Sequence, residues 1–348
     1  MDEALKSADK GVISMAVSLK VTEVVRDAGG NITKMITHDY APCLAELSVT
    51  TQRLDAAGKM VFTLVEDTDI AIREGAQVYC TVDGVGLFKG YVFKAERTQK
   101  RRVQYTAYDQ LRYLKAKASY EFVAMPLEDI IKRIAQDFDL KVGKLTKTGY
   151  TFPALLKENV SCLDIIFGAL METTIQTGKI FMFYDNLGEL TLTEAKDLFW
   201  DKIIGDRSLL SEYRYTEDID SQTYNRVKLA RPNDKTGKAD IYEYEDSDTQ
   251  KDWGILQLYK VVDENMNAAQ IEQLCQAYIK YYNVVWKTLK LAKIIGYTPL
   301  RAGWFIPVRT SDINALSSTN PELFLAEKVT HKIKGDFHTM DIEIKKFF

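Results

Sequence analysis

Three histidines, four cysteines and scattered carboxylates are the side chains of this 348-residue sequence that could do chemistry. A Cys–His hydrolase needs a thiolate within hydrogen-bond reach of a base. His38 and Cys43 are near in sequence, but Pro42 stands between them and no oxyanion-hole pattern follows. His331 and His338 flank the turn Lys334-Gly335-Asp336, across which the two rings could face each other. With Asp336 they would offer three metal ligands, yet the spacing fits no ligand pattern, and both read as exposed histidines at strand ends. Cys43, Cys80, Cys162 and Cys275 are far apart, without Cys-x-x-Cys spacing, and are expected to be free buried thiols. Gly84-x-Gly86-x-x-x-Gly90 is only superficially a phosphate loop, because it lies between strands and lacks the helix N-terminus that holds an anion. Glu66, Asp67, Glu217, Asp218, Glu243 and Glu245 could include a glycosidase pair, but nothing sets two of them at a defined separation. Tyr91, Tyr105, Tyr108 and Tyr113 read as core and interface aromatics rather than a stacking platform. No catalytic residue, cofactor, metal or small-molecule substrate is expected.

Those residues must be positioned by a chain long enough for two or three domains with their own cores. The net charge of -3 gives no global footprint for nucleic acid, so no sequence-specific nucleic-acid binding is expected. No run of about 20 apolar residues predicts a membrane span. Met1 to Lys10 mixes both signs of charge and has no apolar signal-peptide core, which predicts synthesis in the cytoplasm.

The first part of the chain reads as β-structure. Apolar residues fall on alternate positions from Ile13 to Val21, and the alternation continues through Leu47 to Val49, Met60 to Leu64 and Val78 to Val82. Asp27 to Asn31 is a turn, and Asp83-Gly84 predicts a tight hairpin with two residues at positive φ. Arg97 to Arg102 is a solvated basic turn. Short antiparallel strands with tight turns suggest a small barrel over 1–109.

Residues 110–207 read as an α+β domain. Pro126 is placed as the first residue of a helix whose stripe is Leu127, Ile130, Ile131, Ile134, Ala135 and Phe138. Ser161 to Asp164 has the form of a capping box ahead of a second helix. Phe181 to Tyr184 and Leu190 to Thr193 form a hairpin around Asp185 to Gly188. From about Ser208 strands return, with Asn225 and Val227 in the one that opens a second barrel over 208–238 plus 292–348. An inserted strand-helix segment, 239–291, carries a helix capped by Asn267 and Gln270. The fold class expected is therefore β-rich α+β, with two related small antiparallel barrels and α+β inserts.

The two barrels look like copies. Gly75-x-x-Val78-x-Cys80, Leu87-Phe88, Val92 and Val103-x-Tyr105-x-Ala107 match Gly303-x-x-Ile306-x-Val308, Leu323-Phe324, Val329 and Met340-x-Ile342-x-Ile344. The second copy is lengthened by an insertion from Thr310 to Pro321.

The most distinctive stretch is Phe88-x-Gly90-Tyr91-Val92, then Tyr105-Thr106-Ala107-Tyr108-Asp109, then Leu111-x-Tyr113-Leu114. It resembles the baseplate hub proteins of contractile phage tails and of phage-tail-like bacteriocins, the late-control-D or tail hub family. Tyr224-Asn225-Arg226-Val227 and the turn from Gly296 through Leu300-x-x-Gly303 are similar to family positions; the first ~12 residues are not. The resemblance implies a homotrimer at the tip of the tail tube, in which six barrels receive the six-fold tube and the remainder keeps three-fold symmetry for the central spike. It also implies contact with other baseplate proteins, incorporation in the particle and release by lysis. The readings set against it are a tail-associated peptidoglycan hydrolase and a carbohydrate-binding tail protein.

Overall fold

In this computed structural model the description covers residues 15–65, 72–98, 101–205, 212–233, 237–311 and 320–346. The segment Met1 to Lys10, Glu66 and Asp67, and most of the insertion between Thr310 and Pro321 lie outside the described residues.

The first unit is β1 (Val17–Arg26), β2 (Ile32–Asp39), β3 (Leu44–Gln52), β4 (Lys59–Val65), β5 (Gln77–Val82), β6 (Val85–Thr98) and β7 (Arg102–Tyr108). Their order in the sheet is β3-β4-β7-β6-β5-β1-β2. Alternate residues point inward, so Val78, Cys80 and Val82 of β5 meet Val103, Tyr105 and Ala107 of β7 in one core with Leu19, Val49 and Phe62. Tyr105 stacks on Phe62 at 5.2 Å between ring centroids. Asp83 and Gly84 sit at φ 50° and 77°, the two-residue turn that the sequence predicts. Gly90 lies where β6 crosses close to β7: a Cβ there would collide with the Tyr108 carbonyl and the Phe88 ring.

The α+β unit contains β8 (Lys117–Pro126), α1 (Leu127–Asp137), β9 (Val142–Leu145), β10 (Thr151–Ser161), α2 (Cys162–Thr177), β11 (Phe181–Asp185) and β12 (Leu190–Glu194). Pro126 is not the first helical residue. It is extended, with ψ 161°, and pairs with Thr151 as the last residue of β8, so the helix begins at Leu127. Ser161 Oγ accepts from the Asp164 amide, satisfying one of the free donors at the start of α2. Leu127, Ile130, Ile131 and Ile134 of α1 pack with Leu163, Ile166 and Leu170 of α2.

The remainder runs β13 (Ile204–Gly205), β14 (Glu212–Asp218), β15 (Arg226–Asn233), β16 (Lys238–Glu245), α3 (Ser247–Trp253), β17 (Gln257–Val261), α4 (Ala268–Tyr282), β18 (Trp286–Ile295), β19 (Phe305–Arg309), β20 (Glu322–Lys334) and β21 (Phe337–Lys345). The second barrel is built from β14-β18-β21-β20, with β19 on β20 and β13 on β19. Leu289, Leu291, Phe324, Val329, Met340, Ile342 and Ile344 fill its core.

The stretch Asn225 to Val227 does not open this barrel. Here β15 is the middle strand of a separate sheet ordered β16-β15-β17. The physical reason is burial: Val227 and Leu229 are covered by Ile271, Leu274 and Tyr278 of α4, which a complete Asn267–Gln270 capping box starts. Asn225 pins that excursion, donating to the Gly254 carbonyl at 2.8 Å and accepting from the Leu256 amide at 2.9 Å. The inserted segment therefore begins near Arg226, and β18 runs across its other expected boundary.

The two barrels are not separate sheets. Residues Lys328 to Ile333 of β20 pair antiparallel with Gln52 to Leu47 of β3, so among the described residues one 13-stranded sheet passes through both.

Gly84→Val places a β-branched residue at φ 77° in the β5–β6 turn. The expected cost is about 1–3 kcal/mol, read as a lowered melting temperature with secondary structure retained.

Candidate functional site at the junction of the units

One group of residues with unusual electrostatics lies where the first barrel, the α+β unit and the second barrel meet. Asp109 ends the Thr-Ala-Tyr-Asp stretch. Its two carboxylate oxygens accept from the amides of Gly58 at 2.8 Å and Leu111 at 3.0 Å, the second bond capping a 3-10 turn over Gln110–Lys115. Asp185 closes β11 and accepts from the Gly188 amide at 2.7 Å. Burial, with the charge of Asp185 next, holds the Asp109 carboxyl well above the ordinary range; burial likewise raises Asp185.

Arg301 enters from the loop between β18 and β19. Its Nη1 donates to the Asp185 carbonyl at 2.9 Å, and its guanidinium lies over Tyr184, 4.0 Å from the ring centroid. Nε of Arg301 is sealed from solvent and, among the described residues, has no hydrogen-bond partner. The same loop is tied to the first barrel, where Ala302 N donates to Thr51 Oγ1 at 3.0 Å, and to the second, where Gly303 N donates to the Ala326 carbonyl. Gly303 has φ +94° and lies against Met182 of β11, so a side chain there would be both strained and obstructed. A cavity of about 240 Å³ lies between Gly86, Lys89, Asp109, Asp185, Arg301 and His331.

The two histidines of the β20–β21 hairpin do face each other, but they are not exposed strand-end residues. His331 is only 2% exposed and His338 is half-buried. The Leu300 carbonyl can only accept, so His331 Nε2 carries the hydrogen and donates to it at 2.7 Å. His331 Nδ1 then accepts from His338 Nε2 at 2.9 Å. Burial first, then the charges of His338 and Arg301, pull His331 down to about 4 against the opposing pull of its bond to Leu300. Asp336 does not join them. Among the described residues no group of three or more His, Cys, Asp or Glu side chains could hold a metal.

The remaining candidate chemistry is dispersed. His38 is exposed on β2, tilted against Tyr40, and no described hydrogen bond links it to the half-buried Cys43. Cys80, Cys162 and Cys275 are buried free thiols; burial pushes Cys80 up to about 12 and Cys275 up to about 11. Glu217 and Asp218 lie on β14, and Glu243 and Glu245 on β16, the latter two paired with Arg226. Tyr91 and Tyr108 make edge contacts with Tyr113 and Phe93, while Leu111 joins the core of the α+β unit. The sequence motif Phe88–Tyr113 thus carries packing and, through Asp109, one corner of the junction. Arg301 and Asp185 belong to no motif, and only the meeting of three units brings them together.

The fold defines a class. The 43 kDa tail protein of prophage MuSo2 from Shewanella oneidensis superposes with a TM-score of 0.66 at 12% identity, covering 94% of this chain and 98% of that one. This chain shares the fold of that phage tail protein. Within the class, a profile of the YQBQ-like family matches residues 47–345, and the chain belongs to that family. YqbQ of Bacillus subtilis (strain 168) is 30% identical over 276 residues, 79% of this chain and 82% of YqbQ. XkdQ, a protein of the phage-like element PBSX in the same strain, is 30% identical over 282 residues, 80% of this chain and 84% of XkdQ.

Two outcomes test the junction. Arg301→Met removes the hydrogen bond to Asp185 and the cation beside two buried carboxyls, and should cost about 1.5–3 kcal/mol in urea unfolding. The second concerns pH. The folded pKa of His331 lies below its unfolded value of about 6.5, so the unfolded chain takes the proton first. The stability this group contributes is present above that value and is lost as pH falls toward 4. Roughly 3 kcal/mol of acid destabilisation should therefore vanish in His331→Gln, compared at pH 7 and pH 4. The raised carboxyls Asp109 and Asp185 act with the opposite sign, are present in both proteins and cancel in the comparison.

Proposed function

We propose that the chain is the hub of a tail baseplate: a homotrimer that joins a six-fold tail tube to a three-fold central spike and nucleates their assembly. The observation that carries this reading is the pair of related barrels held in one continuous sheet. A six-fold tube end offers six equivalent sites, and three chains can fill them only if each presents two similar surfaces. A cyclic trimer is the smallest closed assembly that does so. The α+β units, from Pro126 to Thr193, then form the side of the ring turned toward the spike. Other baseplate proteins surround the hub in the particle, which leaves the cell by lysis.

In this reading no residue is catalytic, and the polar groups at the junction hold three units in fixed orientation. The family relation to a protein of a phage-like element supports the setting.

Light scattering on the chain mixed with the tube and spike proteins of its particle should give complexes containing three copies. Complexes holding a single copy at every ratio and concentration would count against the trimer.

A further inference from the structure

The join between the two barrels inside one chain carries information about how a second chain attaches. The barrels are equivalent in detail. In the first, Gly75 N donates to the Val92 carbonyl and Val92 N to that of Ala76; in the second, Gly303 N donates to Ala326 and Ala326 N to Trp304. One residue later both long strands bulge, β6 between Val92 and Lys94 against β7, and β20 between Ala326 and Lys328 against β21. Val92 therefore matches Ala326, three residues from the Val92–Val329 match that the sequence suggests. Across the sheets, Leu47 opposes Phe62, which opposes Tyr105; Tyr213 opposes Leu291, which opposes Ile342. Hence β6 is the counterpart of β20, and β14 the counterpart of β3.

Within the chain, the outer edge of β20 beyond its bulge is filled by β3, with Lys328 opposite Gln52, Val329 opposite Thr51 and Thr330 opposite Thr50. The bulged residue Glu327 is ion-paired with Arg53 at 2.8 Å. The counterpart edges are Phe93–Glu96 of β6 and the outer side of β14. Among the described residues no strand pairs with either. Open edges of this kind are templates for another strand.

Resting on the trimeric hub reading, we propose that a second copy of this chain supplies that strand. β14 of one copy adds antiparallel to β6 of the next, repeating between chains the join that β3 makes with β20 within one. The transposed register puts Lys94 opposite Asp218, Ala95 opposite Glu217 and Glu96 opposite Thr216. No like charges meet, and the one directly opposed charged pair is of opposite sign. The position of the Glu327–Arg53 ion pair falls to Phe93 and Ile219, both half-buried in the single chain, so an apolar contact replaces an ionic one. The contact is head-to-tail, and such contacts close into a ring where their rotation allows it. Three chains then hold six joins of one kind, alternately within and between chains, which brings six barrels into register from three polypeptides.

The test is a disulfide placed across the proposed join. Directly opposed residues of an antiparallel pair have Cα separations within the span of a disulfide. Lys94→Cys with Asp218→Cys in the full chain, oxidised in assembled particles, should give covalent dimers and trimers on non-reducing gels. Each single variant should stay monomeric, which also controls for Cys43. A charge exchange gives a second reading: Lys94→Glu should shift the trimer toward monomer by about fivefold per join, and adding Asp218→Lys should restore it. Three-copy complexes without cross-linking or restoration would overturn this join and leave the hub reading standing. Absence of three-copy complexes in any mixture would overturn both. A ladder running past trimer would overturn the closed ring.

Discussion

The arrangement depends on the antiparallel pairing of β20 with β3. The first half of β20 belongs to the second barrel, hydrogen-bonded to β19 and β21. Its second half keeps β21 on one side and takes β3 on the other. Ile333 at its end is buried in the core of the first barrel. Backbone hydrogen bonds are directional, so this pairing fixes the angle and register between barrels in a way that side-chain packing alone would leave adjustable. The bulge after Ala326 is what turns the strand from one barrel toward the other, since an extra residue bends a strand and increases its local twist.

The loop carrying Leu300, Arg301 and Gly303 locks this geometry from the side. It reaches the first barrel through Thr51, the α+β unit through Asp185 and the second barrel through Ala326 and His331. Buried polar groups seldom add much net stability compared with apolar ones, but they penalise every arrangement that leaves them unpaired. At this junction they select one relative placement of three units. The raised carboxyls and the depressed histidine follow from burial at this three-way meeting. Perturbed groups in a cavity are a frequent mark of catalysis. Both oxygens of Asp109 are committed to backbone amides, however, as is expected of a structural cap.

Much was legible in the sequence where the signal is local. Strand alternation, the Asp83-Gly84 turn, the apolar stripe of α1 and the Asn267 cap depend on residues within a few positions of one another, and each appears where its pattern lies. The resemblance carried by Phe88–Tyr113 agrees with the phage-tail architecture and with the family match over residues 47–345. Several readings failed for reasons that are not local, these three among them. Pro126 fits the first turn of a helix equally well by propensity, but its pairing with Thr151 keeps it in a strand. Arg226 to Asn233 alternates as any barrel strand would, and only the presence of α4 over Val227 and Leu229 assigns it to another sheet. His331 lies near a hairpin end, a place usually exposed, and is buried because the Leu300 loop folds over it.

The sequence by itself determined most element types and the presence of two related barrels, because hydrophobic periodicity and turn chemistry are encoded residue by residue; the register of the repeat between β6 and β20 came only from the strand pairing. The tertiary structure alone decided which edges of those barrels are filled and which, among the described residues, remain open. An edge strand and a central strand can carry the same alternation, and the difference between them lies in a partner that is hundreds of residues away or in another molecule. The junction of Asp109, Asp185 and Arg301 is of the same kind: three ordinary polar residues, far apart in the chain, that acquire their properties only when three units exclude water from the space between them.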